Sequence, residues 1–563
     1  MVLWGGLRPI PCRVILDCAT LSTWIYGTRV HHRLVHPGTD SETAHDREEI
    51  KRRLLFSYAM VVLSCILTVV MAGNLTNRWT LTLPMVPYLL LQGMGRVLAA
   101  DKIKNKGTNN WPWKRYMHAL ITLWSATCIL LGALLCILFP AVELPPIRGP
   151  YNVGKVDLYL PMRIHIGGHG DVANTTSNAT MGGDTTFRTE NVWVRLLYPT
   201  RDPPMAVPYL TPATAIDYCY HSMKFGAPPP LKQFDWILHT WRLTERWERD
   251  GATLIETKEP LPVVVYSHGL GGHADIYSYQ THSLAAHGNV VLTISHSDGS
   301  GPIVLQPDGT KREYDYRPQQ MQQEHGYNME YIQVRRDQTE HRIEEVLAAT
   351  RALHRWNEQD APAELPPRMA LSFKERLDLR RITLMGHSFG GATVLSAAHR
   401  YPDLFSTVLA HEPAIDWCHP SSVASLFAQS RIADLPSAYM YNTTRFGNPA
   451  HDGDDSLHRG ADMLLLFSHE WVRQKWALTP LIQEMQQQQR LGSDQTIISF
   501  DFIPHMHHNE FSDTSMLMPT WLSRGIGITG SRNPIHTAKE VAQRSRQFLE
   551  QSRRRRQVEV PSP

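Results

Sequence analysis

"ITLMGHSFGGATVLSAA", Ile382 to Ala398, decides the fold. It opens with an apolar run containing the β-branched Ile382 and Thr383 and closes in alanines, with glycines and Ser388 between. Gly386-His387-Ser388-Phe389-Gly390 fits G-x-S-x-G, a pattern that gains meaning only when a strand precedes it and a helix follows. Both are predicted, "RITLM" as the strand and "GATVLSAA" as the helix. A sharp strand-to-helix turn strains its central residue and needs small neighbours where backbones approach, and Gly386, Gly390 and Gly391 supply them. The helix start also turns free N–H groups toward the serine, favouring negative charge that develops there.

The flanking chain repeats this alternation. "LPVVVYSHG", from Leu261, is a continuous apolar run of the kind that forms a parallel strand buried on both faces, and "NVVLTIS", Asn289 to Ser295, matches it. Between them "DIYSYQTHSLAAHG" has helical spacing and ends at Gly288, a glycine suited to a helix C-terminus. Strand, helix, strand makes a βαβ unit. "VWVRLLYP" reads as an earlier strand, Asn328 to Asn357 as a long polar helix with i,i+4 charge pairs, and "FSTVLAHEP" and "DMLLLFSHE" as later strands. The class is α/β, a mostly parallel sheet with helices on both faces, over residues 146–550. A basic tail follows at 551–563, expected to be disordered.

The first part of the chain has a different character. "LLFSYAMVVLSCILTVVMA", Leu54 to Ala72, is uncharged and long enough to cross a bilayer as a helix, and so is "HALITLWSATCILLGALLCILFPAVEL", His118 to Leu144. Leu81 to Ala100 is weaker, interrupted by Pro84, Pro87, Gln92 and Arg96. An all-α transmembrane region of about three helices is therefore expected over 51–145, after an unassigned segment 1–50 that is cytosolic or interfacial and lacks a signal-peptide pattern. Basic residues in "REEIKRR" and "DKIKNKGTNNWPWKR" put both of those loops in the cytosol if three helices cross. The chain after Leu144 then emerges on the lumenal or extracellular side, in the secretory pathway or at the plasma membrane. Sequons at Asn174, Asn178 and Asn442 agree with that side.

Composition excludes other classes. A net charge of +3 over 563 residues gives no electrostatic footprint for nucleic acid. Seven scattered cysteines, with no CxxC, give no zinc spacing; Cys219 and Cys418 alone lie in the later part, as one disulfide or two thiols.

A nucleophilic serine needs a base, and the base an orienting acid. When the serine sits on such an elbow, the chain order is Ser, then Asp or Glu, then His. "FSTVLAHEPAIDW" offers Glu412 directly after an apolar run, with Asp416 as the alternative acid. "TIISFDFIPHMHHNEFSD" offers His505, His507 and His508 after the last strand-like run. Two backbone N–H groups are needed for an oxyanion, one from the residue after the serine, Phe389, and one from "SHGLGGH", at Leu270. No metal or other cofactor is called for.

These segments together resemble the plasma-type (isoform II) platelet-activating factor acetylhydrolase family, within the α/β-hydrolases. The resemblance runs in order through "GPYNVGKVDLYL", "VRLLYP", "PVVVYSHGLGG", "SLAAHGNVV", "RRDQTEHRIEEVL", "ITLMGHSFGGATVL", "MLLLFSHEW" and "HMHHNEFSD". By position it implies Ser388 as nucleophile, His507 as base in a His-x-Asn-Phe-like element, and the Leu270 and Phe389 amides as oxyanion hole. Glu412 stands where the family has an aspartate. His508, the alternative base, stands where the family has a different polar residue, and Glu510 is an extra residue between Asn509 and Phe511. The resemblance implies calcium-independent hydrolysis of short or oxidised acyl chains at the second position of glycerophospholipids. The expectation is a membrane-anchored serine esterase acting on a phospholipid or another lipid ester. A general carboxylesterase or dienelactone-type hydrolase, or an inactive membrane scaffold, are the alternatives.

Overall fold

The computed structural model describes residues 144–165, 187–226, 238, 241–242, 244–360, 362–365, 371–418, 461–474 and 498–558. The chain divides into compact units Met1–Ala141 and Val142–Pro563, and the described residues belong to the second. The expected membrane spans (Leu144 apart) and the sequons at Asn174, Asn178 and Asn442 lie outside the described residues. Among the described residues, no helix is long and apolar enough to cross a membrane.

A ten-stranded sheet organises the described part. Its strands in chain order are β1 (Asn152–His165), β2 (Phe187–Thr200), β3 (Met205–Pro208), β4 (Glu245–Asp250), β5 (Leu261–Ser267) and β6 (Val290–Ser295). A small hairpin, β7 (Ile303–Leu305) and β8 (Lys311–Glu313), stands apart, and the main sheet continues with β9 (Leu377–His387), β10 (Phe405–His411), β11 (Asp462–Ser468) and β12 (Ile498–Ile503). The spatial order is β12-β11-β10-β9-β5-β6-β2-β1-β4-β3. From β6 to β12 every neighbouring pair is parallel. β2 joins this block antiparallel and pairs along its whole length with β1.

The helices are α1 (Ala215–Gly226), α2 (Ser278–Ala286), α3 (Arg317–His325), α4 (Met329–Glu358), α5 (Phe389–Arg400), α6 (His469–Gln474), α7 (Thr514–Leu517), α8 (Thr520–Gly525) and α9 (Pro534–Val558). The strand alternation explains why they cover both faces. Val263 and Val265 of β5 share one core with Ile343 and Val346 of α4 and Val394 of α5. Val264 and Tyr266 point the other way, into a second core with Leu284 of α2 and Val541 and Phe548 of α9. Each of these valines is fully buried, and such burial stabilises by roughly 1.5–3 kcal/mol per side chain.

The α/β reading of the sequence thus holds element by element. One boundary is corrected. The tail drawn from residue 551 begins inside α9, because Arg555 and Arg556 pair with the buried carboxylate of Asp462 and Ser552 hydrogen-bonds to it at 2.6 Å. Cys219 and Cys418 are both buried and are not joined to each other; their Sγ atoms donate to the Leu238 and Ala392 carbonyls at 3.4 and 3.7 Å.

Candidate active site

Ser388 sits on the turn between β9 and α5 with φ 55° and ψ −113°, a conformation a non-glycine residue adopts only at a cost of roughly 1–3 kcal/mol. The surroundings impose it. Its N–H donates to the His411 carbonyl at 2.8 Å, and its own carbonyl accepts from Ala392 and Ala414 at 3.1 and 3.0 Å. A Cβ on Gly390 would run into the Ser267 carbonyl, and one on Gly386 into the Gly390 carbonyl, so only glycine lets β5, β9 and α5 meet.

One strand along, Glu412 follows β10 with φ 44°. Its N–H donates to Leu466 at 2.9 Å, and its carboxylate accepts from the Ser468 N–H. The carboxylate is fully buried and its other oxygen meets His508 Nδ1. His508 Nε2 lies 3.1 Å from Ser388 Oγ. Serine, imidazole and carboxylate therefore form one hydrogen-bonded relay, drawn from beyond the C-terminal ends of the parallel strands β9, β12 and β10, where open α/β sheets place their sites. Asp416 is elsewhere: it accepts from Tyr327 OH at 3.0 Å on the pocket wall.

The expectation for His507 is corrected. His507 is the N-cap of the short 3-10 turn His508–Phe511, in extended backbone. Its N–H is taken by Glu510 Oε2 at 2.7 Å and its Nδ1 donates to the Gly527 carbonyl at 3.0 Å, away from Ser388. His508, the first residue of the turn, faces the serine instead, its N–H held by Glu470 Oε2 at 2.8 Å. The extra residue Glu510 explains the shift. In the His-x-Asn-Phe-like element, counting back from Asn509 reaches His507 and counting back from Phe511 reaches His508. Phe511 is the fixed point, buried between the rings of His387 and His411 at 5.2 and 4.9 Å.

The sequence reading also passed over groups that hold His508. Trp471 stacks on His508 with centroids 4.7 Å apart and planes 16° from parallel. Trp471 and Glu470 come from "SHEW", which runs from the last residue of β11 into α6. His387 lies 4.6 Å from His508, centroid to centroid, and its Nδ1 meets Tyr277 OH at 2.9 Å. Burial, then the neighbouring His508 and His411, hold His387 well below the usual histidine range, so it stays neutral. His387, Glu412 and His508 bring ligand-type atoms within 4.8 Å of one another. Both nitrogens of His508 already face hydrogen-bond partners, the Glu412 carboxylate and Ser388 Oγ.

Ser388 and His508 open onto a cavity of about 930 Å³. Its walls are mostly apolar and aromatic, with Phe225, Trp241, Ile276, Trp417 and Met518 among them, and Leu270 also lines it. Phe389 is the first residue of α5, immediately after the serine.

An elbow serine, a strand-borne acid and a late histidine on this sheet define the α/β-hydrolase class, whose general model matches residues 363–502. The family model described as platelet-activating factor acetylhydrolase, isoform II, matches residues 136–421, half of the chain, and the protein belongs to that family. It is similar to the platelet-activating factor acetylhydrolase of Canis lupus familiaris, 35% identical over 149 residues covering 25% of this chain and 33% of that one. The Cavia porcellus protein of that name is 25% identical over 267 residues, 46% of this chain and 52% of that one. The chain thus spans about a third to a half of the length of these curated relatives. A solved ferulic acid esterase from Streptomyces cinnamoneus overlaps 73% of this chain and 93% of its own, with 15% identity and a TM-score of 0.39.

Proposed function

We propose that this chain is a serine hydrolase that cleaves an acyl ester of a phospholipid, held at a membrane by its N-terminal region. The observation that carries the reading is the Ser388–His508–Glu412 relay opening onto a large apolar cavity. Ser388 Oγ attacks the ester carbonyl while His508 Nε2 takes its proton, and Glu412 holds the imidazole in the tautomer with Nδ1 protonated and stabilises the imidazolium. The Leu270 and Phe389 amides receive the oxyanion of the tetrahedral intermediate. The imidazolium then protonates the leaving lysolipid alcohol, and a water deprotonated by His508 releases the acyl group from Ser388. A cavity of about 930 Å³ suits an acyl chain better than a small hydrophilic ester.

Two apolar runs, Leu54 to Ala72 and His118 to Leu144, support the anchoring, as each has the length a bilayer core demands. A lumenal or extracellular position of the catalytic part follows from the basic loops. Glycan mapping at Asn174, Asn178 and Asn442 tests this, and glycan-free sites on a domain that added protease digests in sealed microsomes would reverse it.

The test of the activity is labelling by a fluorophosphonate, followed by a panel of phospholipids and aryl esters of graded acyl length. Labelling is expected in the wild type and lost in Ser388→Ala. Equal labelling of both proteins would remove Ser388 from the mechanism. A preference for water-soluble aryl esters over every phospholipid would replace the lipid reading with a general carboxylesterase.

A further inference from the structure

The loop Ser267–His273, which carries Leu270, is braced by a side chain outside the relay. Arg342 projects from α4 and is completely buried. Its Nε donates to Asp298 Oδ2 at 2.8 Å, its Nη1 to the His268 carbonyl at 2.7 Å, and its Nη2 to Ser300 Oγ. The Ser300 carbonyl in turn accepts the Gly271 N–H at 2.8 Å. The backbone on both sides of Leu270 is therefore tied to one guanidinium, directly before it and through Ser300 after it.

Inside the loop the ties converge on a single peptide. The His296 N–H donates to His268 Nε2 at 3.1 Å, which makes Nδ1 the protonated nitrogen, and Nδ1 donates to the Gly269 carbonyl at 2.8 Å. Gly272 N–H donates to the same carbonyl at 3.0 Å. Burial, then the charge of Arg342 and the ring of His296, keep His268 well below the usual histidine range and so in this one neutral tautomer. The Gly269 carbonyl and the Leu270 N–H belong to one trans peptide and point in opposite directions, so fixing the carbonyl aims the amide. The same guanidinium lies 4.0 Å from the centroid of the Phe389 ring. Arg342 thus touches the frames of both amides assigned to the oxyanion.

We propose that Arg342 is the positioning residue of the oxyanion hole, its planar fork holding the Gly269–Leu270 peptide and the Phe389 turn in mutual register beside Ser388. This rests on the serine-hydrolase reading above. A lysine keeps the charge but is a point donor without the fork, so Arg342→Lys loses the register while Leu270 and Phe389 remain.

The experiment measures kcat and KM of Arg342→Lys and Ser300→Ala, with active sites counted by fluorophosphonate titration. Removing an oxyanion donor outright costs about 10²–10³ in kcat. A displaced donor costs less, so Arg342→Lys is expected to lower kcat per labelled site roughly 10- to 100-fold, with KM changed less than about threefold. Ser300→Ala, which removes one tine's acceptor, loses roughly 3- to 10-fold. A boronic acid, whose serine adduct is tetrahedral and anionic, should weaken by the same factor as kcat/KM in each variant. A merely structural residue gives another pattern: a lower titre or melting temperature with unchanged kcat per site and unchanged boronate affinity, and that result overturns the proposal. Should Arg342→Lys fail to fold, Ser300→Ala decides alone. Wild type that takes up no fluorophosphonate would sink the serine-hydrolase reading and this inference with it; labelled wild type with unaffected variants refutes the role of Arg342 only.

Discussion

Exchanging adjacent histidines separates the relay from its surroundings more sharply than any other change. His508 carries two contacts that a proton transfer needs, to Ser388 Oγ at 3.1 Å and to the buried Glu412 carboxylate. His508→Ala removes both, leaving a serine hydroxyl with no acceptor for its proton. Losses on deleting the base of such a triad are about 10⁴–10⁶ in kcat, the remainder coming from the oxyanion hole and binding; that range is about 5–8 kcal/mol of transition-state stabilisation. His507 makes one side-chain hydrogen bond, to the Gly527 carbonyl, of the kind worth about 0.5–1.5 kcal/mol in stability. His507→Ala should therefore cost less than about tenfold in kcat, because its N–H tie to Glu510 is a backbone contact and survives the substitution. The assay is hydrolysis of a short-chain phospholipid analogue, normalised to fluorophosphonate-reactive protein for His507→Ala and to folded protein for His508→Ala. A larger loss in His507→Ala than in His508→Ala would refute the placement of the base and the role given to Phe511 in setting it.

Two further outcomes follow from the same geometry. Glu412→Gln should lower kcat about 10³–10⁴-fold by disturbing the imidazole tautomer, whereas Asp416→Asn, engaged with Tyr327, should stay within about threefold; the reverse ranking would return the acid to Asp416. Asp513 is buried between Tyr209 OH and the Tyr279 N–H, and burial pushes its carboxyl up from 3.8 to about 7. A raised folded-state value means that its contribution is complete below about pH 4 and is lost as pH rises through about 7, on the order of 4 kcal/mol in all. The melting-temperature advantage of wild type over Asp513→Asn should accordingly shrink between pH 4 and 8, and a constant or growing advantage would contradict it.

The sheet was legible because its strands are buried on both faces. "VVVY", "VVLTI" and "ITLM" are mostly apolar, β-favouring runs with no charged residue, and the glycines around Ser388 answer to steric contacts that no side chain can relieve. Glu412 was legible for the same reason, since it stands at the first position after a buried strand. The histidine of the relay was legible only to within one residue. Its register is set by the 3-10 turn at His508 and by the buried Phe511 ring, a packing decision that chain spacing does not express. Glu470, Trp471 and Arg342 were missed because each acts across the fold, from α6 or α4 onto loops distant in sequence.

The relay spans 120 residues from Ser388 to His508 and 96 from Glu412 to His508. On the ribosome, nucleophile and acid are therefore made well before the base, and the elbow and β10 can be in place while β12 is still unmade. A chain that ends before β12 holds the strained Ser388 with no imidazole beside it. The relay is completed only when the segment after β12 docks, and a cut between Glu412 and His508 that lets the two pieces part would separate the imidazole from Ser388 and Glu412.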